Sequence, residues 1–352
     1  MIRWRTIHCG ALVLLACFSV ATSAQTLTKY CAGLSADAQP VGIAVGPDGN
    51  LWFTEFNGGD RVGRITPQGV ITEFSAGITG GAQPYSIAAG PDGDVWFTER
   101  KSDYSISRVG RISPTGVVAE FGEDVGNMIS PFSDPFGITA GADGNLWFTE
   151  ANGNRVGRIT PDGIITEYSA GICDRATCPP YGATPVGITS GPDGNLWFAE
   201  YSANRIGRIT TAGMVTEFDV GISADAAPFG ITAGPDGNLW FTENGGSRIG
   251  RITPDGVVTE FSANLFGSGL LGITAGPDGN LWFAEQLSHT IGRITPDGEI
   301  TEFGSLPVGN ILEYITTGPD GNLWYGQGTG WIGRIVIDGI FANGFDAAQC
   351  PP

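Results

Sequence analysis

The sequence predicts an all-β fold: a seven-bladed β-propeller of four-stranded antiparallel blades, its ring closed by the N-terminal strand. Three observations carry that expectation. A tryptophan recurs at Trp52, Trp96, Trp147, Trp197, Trp240, Trp282 and Trp324, each after a turn of the Gly-Pro-Asp-Gly-Asn type. The spacings of 44, 51, 50, 43, 42 and 42 residues suit a four-stranded blade and are too long for leucine-rich repeats. The 352 residues include 56 glycines, yet 41% are hydrophobic and 10% aromatic, which excludes disorder and a collagen-like rod.

Residues 1–24 stand apart from the fold and read as a secretory signal. Arg3 and Arg5 precede the apolar run from Ala11 to Val20, and Thr22-Ser23-Ala24 supplies small residues for cleavage before Gln25. Leu14-Leu15-Ala16-Cys17 resembles a lipoprotein cleavage box, a weaker alternative because it leaves a very short apolar region. No later segment is apolar for long enough to span a bilayer. The expected location is therefore periplasmic or extracellular. The formal net charge of -18 argues against nucleic acid or an anionic membrane surface as partner.

Residues 25–339 are expected to form the propeller, and its fifth unit shows how a blade is built. Gly230-Ile231-Thr232-Ala233 is a short inner strand, ended by the turn Gly234-Pro235-Asp236-Gly237-Asn238. Leu239 to Glu243 and Arg248 to Ile252 form a hairpin, and Pro254-Asp255-Gly256 turns into an outer strand, Val257 to Phe261. Aromatic and β-branched residues dominate, and no stretch has a helical period. Only six outer strands lie between the seven units. Leu27-Thr28-Lys29-Tyr30-Cys31-Ala32-Gly33-Leu34 matches Ile71-Thr72-Glu73-Phe74-Ser75-Ala76-Gly77-Ile78, so the N-terminus should complete the last blade. That leaves Ile340 to Phe345 as a surplus strand or tail, within a C-terminal segment of residues 340–352.

Once Cys9 and Cys17 leave with the signal, four cysteines remain in an oxidising compartment, which favours disulfides. Cys173 and Cys178 flank four residues and should staple their own loop. By elimination Cys31 pairs with Cys350 and ties the chain ends together. Zinc is the weaker reading, because no histidine lies near these cysteines.

Strand alternation puts the Gly-Pro-Asp-Gly-Asn and Pro-Asp-Gly turns on one face of the disc. The other face holds the sequence variation, including Arg100 to Ser107 and Gly171 to Thr184, and is the expected ligand face for a small molecule, glycan or peptide. Glu55, Glu99, Glu150, Glu200, Glu243 and Glu285 end the second strands on that side. Glu243 sits opposite Arg248 in the hairpin register, and Arg61, Arg108, Arg155 and Arg205 offer the same cross-strand partner elsewhere. Glu285 faces Thr290 instead, which makes it the better metal or base candidate, with His289 in the same loop. Glu243 and Glu285 are the candidate metal ligands, through a carboxylate ring that would hold a hard cation. The arginines Arg64, Arg111, Arg158, Arg208, Arg251, Arg293 and Arg334 fall opposite the tryptophans, a packing device present in every blade. A monomer is expected. There is no Gly-x-Ser-x-Gly elbow, His-Glu-x-x-His or Walker loop.

The combination Pro-Phe-Gly-Ile-Thr-Ala-Gly-Pro-Asp-Gly-Asn-Leu-Trp-Phe-Thr-Glu from Pro228 to Glu243, followed by Arg248-Ile249-Gly250-Arg251-Ile252-Thr253, resembles the streptogramin lyases of the virginiamycin B lyase type. The resemblance covers nearly all of residues 25–339. It implies a seven-bladed propeller that uses a magnesium ion to open a cyclic depsipeptide by elimination at an ester carbon–oxygen bond. It also implies a general-base histidine after the proline that starts a late blade's inner strand, with a second histidine one blade away. The matched positions hold Phe229, Leu271 and Glu313. Val41 stands where the resemblance implies a substrate-contacting tyrosine, and Gln327 where it implies a glutamate near the metal. The expectation is a divergent metal-dependent carbon–oxygen lyase with Glu285, His289 and Glu313 as catalytic candidates. The alternatives are a non-catalytic exported binding propeller and a calcium-dependent lactonase.

Overall fold

The computed structural model describes residues 26–56, 59–101, 105–122, 129–178, 180–262, 265, 269–303, 312–337 and 346–347. The signal reading on residues 1–24, Cys350, and the tail expectation at 340–345 lie outside the described residues.

The strands form seven separate sheets, one per blade, and six of these hold four strands in chain order from inside to outside. Blade 1 runs Pro40–Val45, Leu51–Glu55, Arg61–Ile65 and Ile71–Phe74, and every pairing within it is antiparallel. In blade 7 the outer place is taken by the N-terminal strand Thr26–Tyr30, which pairs antiparallel with Trp331–Ile335 and sets Tyr30 opposite Ile332. The chain ends thus close the ring as expected, and closure removes the free edges of an open stack. The surplus strand falls at Asp346–Ala347, beyond the expected segment, and pairs parallel to Thr26–Tyr30. It runs in the direction that a fourth strand of blade 7 would take, displaced outward by one place. Cys31 is disulfide-bonded, and its expected partner Cys350 lies outside the described residues.

The repeated residues hold each blade to the next. Every second-strand tryptophan is fully buried. Trp52 stacks on Phe74 at 5.5 Å, carries the Arg64 guanidinium 5.6 Å above its ring, and donates its indole N–H to Asp48 in the preceding turn at 2.9 Å. Arg64 also reaches across to the Pro114 carbonyl of blade 2 at 2.9 Å, and Arg334 closes the ring on the Pro67 carbonyl at 3.3 Å. The arginine series is therefore both the expected packing device and a link between blades. Phenylalanines on the opposite side of the second strand need space: a Cβ on Gly250 would lie 2.1 Å from the Phe241 ring, so only glycine fits there. Gly237, at φ +76°, supplies the left-handed corner of its turn.

A second link lies near the axis. Thr54 accepts from the Gly42 amide at 3.0 Å and donates to the Tyr85 carbonyl of blade 2 at 2.5 Å. Thr242 does the same between Gly230 and the Leu271 carbonyl, at 2.8 and 2.6 Å. Ala199, Ala284 and Gly326 occupy this position in blades 4, 6 and 7 and carry no hydroxyl. The inner strands leave an axial cavity of about 360 Å³, walled largely by Ile87, Ile138, Ile188, Ile231, Ile273 and Ile315.

Candidate functional site at the channel mouth

On the face opposite the repeated Gly-Pro-Asp-Gly-Asn turns, side chains at the starts of the inner strands converge across the axis. Tyr85 meets Phe136 edge-on at 4.7 Å and Tyr314 at 5.8 Å, and Phe136 meets Phe229 at 5.6 Å. Phe56 adds a further edge contact to Tyr85 at 5.1 Å. Val41, Tyr85, Phe136 and Val186 are all buried, so the mouth is filled by side chains.

Two polar pairs are set into this plug. Arg100 extends the second strand of blade 2 by one residue beyond Glu99 and places its guanidinium 4.8 Å from the Tyr85 ring and 4.6 Å from the Phe136 ring. Asp134 holds it with two hydrogen bonds of 2.7 and 2.9 Å. Tyr85 donates its hydroxyl to Glu313 at 2.8 Å. Burial pushes the Glu313 carboxyl above its ordinary value, against the opposing pull of Tyr85 and Arg100. Burial and the neighbouring Glu313 push the Tyr85 hydroxyl well up. Sequence reasoning reached Glu313 but missed Tyr85 and Asp134. The signal for Asp134 was available, since subtracting the repeat leaves Arg100 after Trp-Phe-Thr-Glu and Asp134 before the proline of its own blade; Tyr85 stands at the repeat position of Val41, Phe136 and Val186 and carried none.

The second-strand glutamates follow the expected register but not its expected uniformity. All six are fully buried between strands. The cross-strand arginine reaches Glu55 at 2.8 Å, Glu150 at 3.4 Å and Glu243 at 2.6 Å. In blades 2 and 4 it turns instead to the outer strand, where Arg108 lies 3.6 Å from Glu120 and Arg205 lies 2.5 Å from Glu217. The outer glutamate is braced alike across these blades: Glu217 accepts from the Cys173 amide at 2.6 Å, as Glu73, Glu167 and Glu260 do from the Ser35, Ser130 and Ser223 amides at 2.7, 2.6 and 2.6 Å. Burial pushes Glu99 and Glu200 well above the carboxylate range, and Glu243 up to about 8.

Glu285 faces Thr290, as the sequence implies, yet it is not without a partner, because the Ser288 hydroxyl donates to it at 2.8 Å. Burial raises its carboxyl. His289 lies in the same turn at φ 55°. The equivalent residues in other blades brace the next linker: Asn154 accepts from the Thr184 amide and Asn204 from the Ala227 amide, both at 2.9 Å. His289 therefore occupies a bracing position, and its buried Nδ1 has no partner among the described residues. Glu285 and Glu313 each have their own hydroxyl partner and are not drawn together.

Magnesium requires several oxygen ligands in near-octahedral array. Phe229 and Leu271 offer none, Glu313 is engaged by Tyr85, and Glu243 is engaged by Arg248. Among the described residues no group of three or more His, Cys, Asp or Glu side chains is placed to hold a metal ion. The donors present do not fit the ion.

The model of the virginiamycin B lyase family matches residues 21–179 and 169–345, nearly the whole propeller. The chain belongs to the virginiamycin B lyase family. It is 35% identical to a streptogramin B lyase structure, covering 90% of this chain and 99% of that one at a TM-score of 0.79. It is 36% identical to a catalytically inactive virginiamycin B lyase from Staphylococcus aureus with quinupristin, covering 89% and 99% at a TM-score of 0.78. The WD40 propeller domain of Doa1 aligns at a TM-score of 0.66 over 88% of this chain and 97% of its own, with 12% identity, a likeness of fold alone. A comparison with curated proteins finds no match.

Proposed function

We propose that this member of the virginiamycin B lyase family is an exported ligand-binding propeller that does not run the family's metal-dependent elimination. One observation carries the reading. The positions where the family resemblance implies histidines hold Phe229, Leu271 and Glu313, and the mouth around them is packed with Tyr85, Phe136 and Tyr314. A general base must reach a substrate proton, directly or through one water. Glu313 instead holds one carboxylate oxygen against the Tyr85 hydroxyl, and Leu271 is chemically inert. Export is supported by the leader pattern of residues 1–24 and by the disulfide between Cys173 and Cys178.

The test is direct. The mature protein is incubated with quinupristin, a wider cyclic depsipeptide set and a lactone panel, with magnesium, with calcium and with neither, and products are read by mass. No product is expected in any arm. Ring opening at unchanged mass would restore the lyase reading, and addition of water would favour the lactonase.

A further inference from the structure

We infer that the cleft between blades 3 and 4 on the variable face is the ligand site, and that its ligand is a neutral oligosaccharide. The inference rests on the ligand-binding reading above and supplies its location and chemistry. The mouth is filled, so a ligand must bind beside it. The one long linker stapled by a disulfide among the described residues stands at this place: Cys173 and Cys178 are bonded with their Cα atoms 5.8 Å apart.

The staple presents a rigid hairpin. Asp174 caps it by accepting from the Ala176 and Thr177 amides at 3.0 and 2.9 Å, and the Cys178 amide returns to the Asp174 carbonyl at 2.8 Å. The Ala183 amide anchors the loop to the Cys173 carbonyl at 2.9 Å. Arg175 projects from the hairpin and donates to Asn152 of blade 3 at 2.7 Å. That bridge divides the cleft into two adjoining hollows of about 590 and 300 Å³, which share Asn152 and Arg175 as their common wall.

The lining specifies the ligand class. Exposed aromatic rings stand in both hollows: Phe132 at 60% exposure in the larger, Tyr181 at 66% and Tyr201 at 37% in the smaller. Flat rings beside planar amide, carboxylate and guanidinium groups suit a sugar ring, whose faces are apolar and whose rim is hydroxyl-rich. The charges cancel. Asp134 is paired with Arg100 and Arg155 with Glu150 and Glu167, which leaves Arg175 and Asp174 to offset each other, so the cleft offers no net attraction to a charged ligand on a strongly acidic protein. Two hollows in contact call for a chain of sugars rather than a single unit. The cleft is preorganised by the staple and the hydrogen bonds, which limits the ordering cost of binding.

The experiment titrates the mature, oxidised protein with hexaoses of neutral glucans, mannan, xylan and chitin by calorimetry, with a tyrosine-containing hexapeptide in parallel. At least one oligosaccharide is expected to bind, and Tyr181→Ala and Arg175→Ala are each expected to weaken it at least tenfold. Both side chains are exposed, so the thermal midpoint of the variants should match the parent. Val220→Ser, at an exposed site away from the cleft, should leave binding unchanged. Absence of binding to the whole panel, binding indifferent to both cleft variants, or binding of the peptide alone would overturn the glycan assignment. The lactone and depsipeptide assay separates the two failures: no turnover and no sugar binding leaves the binding-propeller reading standing without this site, whereas turnover removes that reading itself.

Discussion

Tyr85 and Glu313 show how a residue takes its meaning from its neighbours. Tyr85 is buried and Glu313 half-buried, and each satisfies the other with a hydrogen bond of 2.8 Å. Tyr85→Phe would keep the ring contacts with Phe136 and Tyr314 and remove the hydrogen bond to the half-buried Glu313 carboxyl, at a cost of about 1 kcal/mol. Thermal denaturation is expected to show that loss, and an unchanged midpoint would mean that Glu313 gains nothing from the hydroxyl. The same scale separates the three glutamates and histidine that sequence reading singled out. Glu243 is bound to Arg248, Glu285 to Ser288 and Glu313 to Tyr85, while His289 stands where Asn154 and Asn204 brace their linkers. The absence of an arginine opposite Glu285 was legible; the serine that takes its place was not, because a loop hydroxyl has no fixed register.

At the scale of the strand, the blade repeat supplies its own controls. Thr54, Thr98, Thr149 and Thr242 donate to a carbonyl of the next inner strand, and Ala199 leaves the corresponding place beside the Phe229 carbonyl without a hydroxyl. Ala199→Thr is expected to add about 1 kcal/mol of stability by joining blade 4 to blade 5 as its neighbours are joined. A lower midpoint in differential scanning calorimetry would show that the alanine sites are too tightly packed to accept the group. Strand order, hairpin register and the tryptophan–arginine pairing were all legible, since turns of fixed length leave one register that keeps the apolar side chains inside. The position of the last strand was not. Asp346–Ala347 pairs through its backbone outside the N-terminal strand, and two residues carry no pattern that announces this.

For the whole molecule, the buried carboxyls and the turn aspartates respond to pH in opposite senses. Burial first, with the outer-strand glutamates adding to it, raises Glu55, Glu150 and Glu243 to about 8 and takes Glu99 and Glu200 well above their ordinary value. A raised carboxyl binds its proton more tightly in the folded chain, so its contribution is present below the unfolded value near 4.5 and is lost as pH rises toward 8. Asp48, Asp143, Asp193, Asp236 and Asp320 are lowered by hydrogen bonds from their turns and tryptophans, which outweigh burial, and they lose their contribution as pH falls below about 4. The thermal midpoint should therefore be highest in mildly acidic solution and fall between pH 6 and pH 9. A midpoint that rises over that interval would contradict the assignment of buried, protonated glutamates.

The sequence by itself determined the seven blades, the closure by Thr26–Tyr30, the Cys173–Cys178 staple and the family, because each depends on a pattern of short-range spacing repeated along the chain. Tertiary structure alone decided what lies at the axis and beside it. Tyr85, Phe136, Phe229 and Tyr314 come from four different blades, and Arg175 meets Asn152 across 23 positions. No local period relates such residues. Only the circular arrangement of blades turns them toward one another, filling the channel mouth and leaving a cleft open next to it.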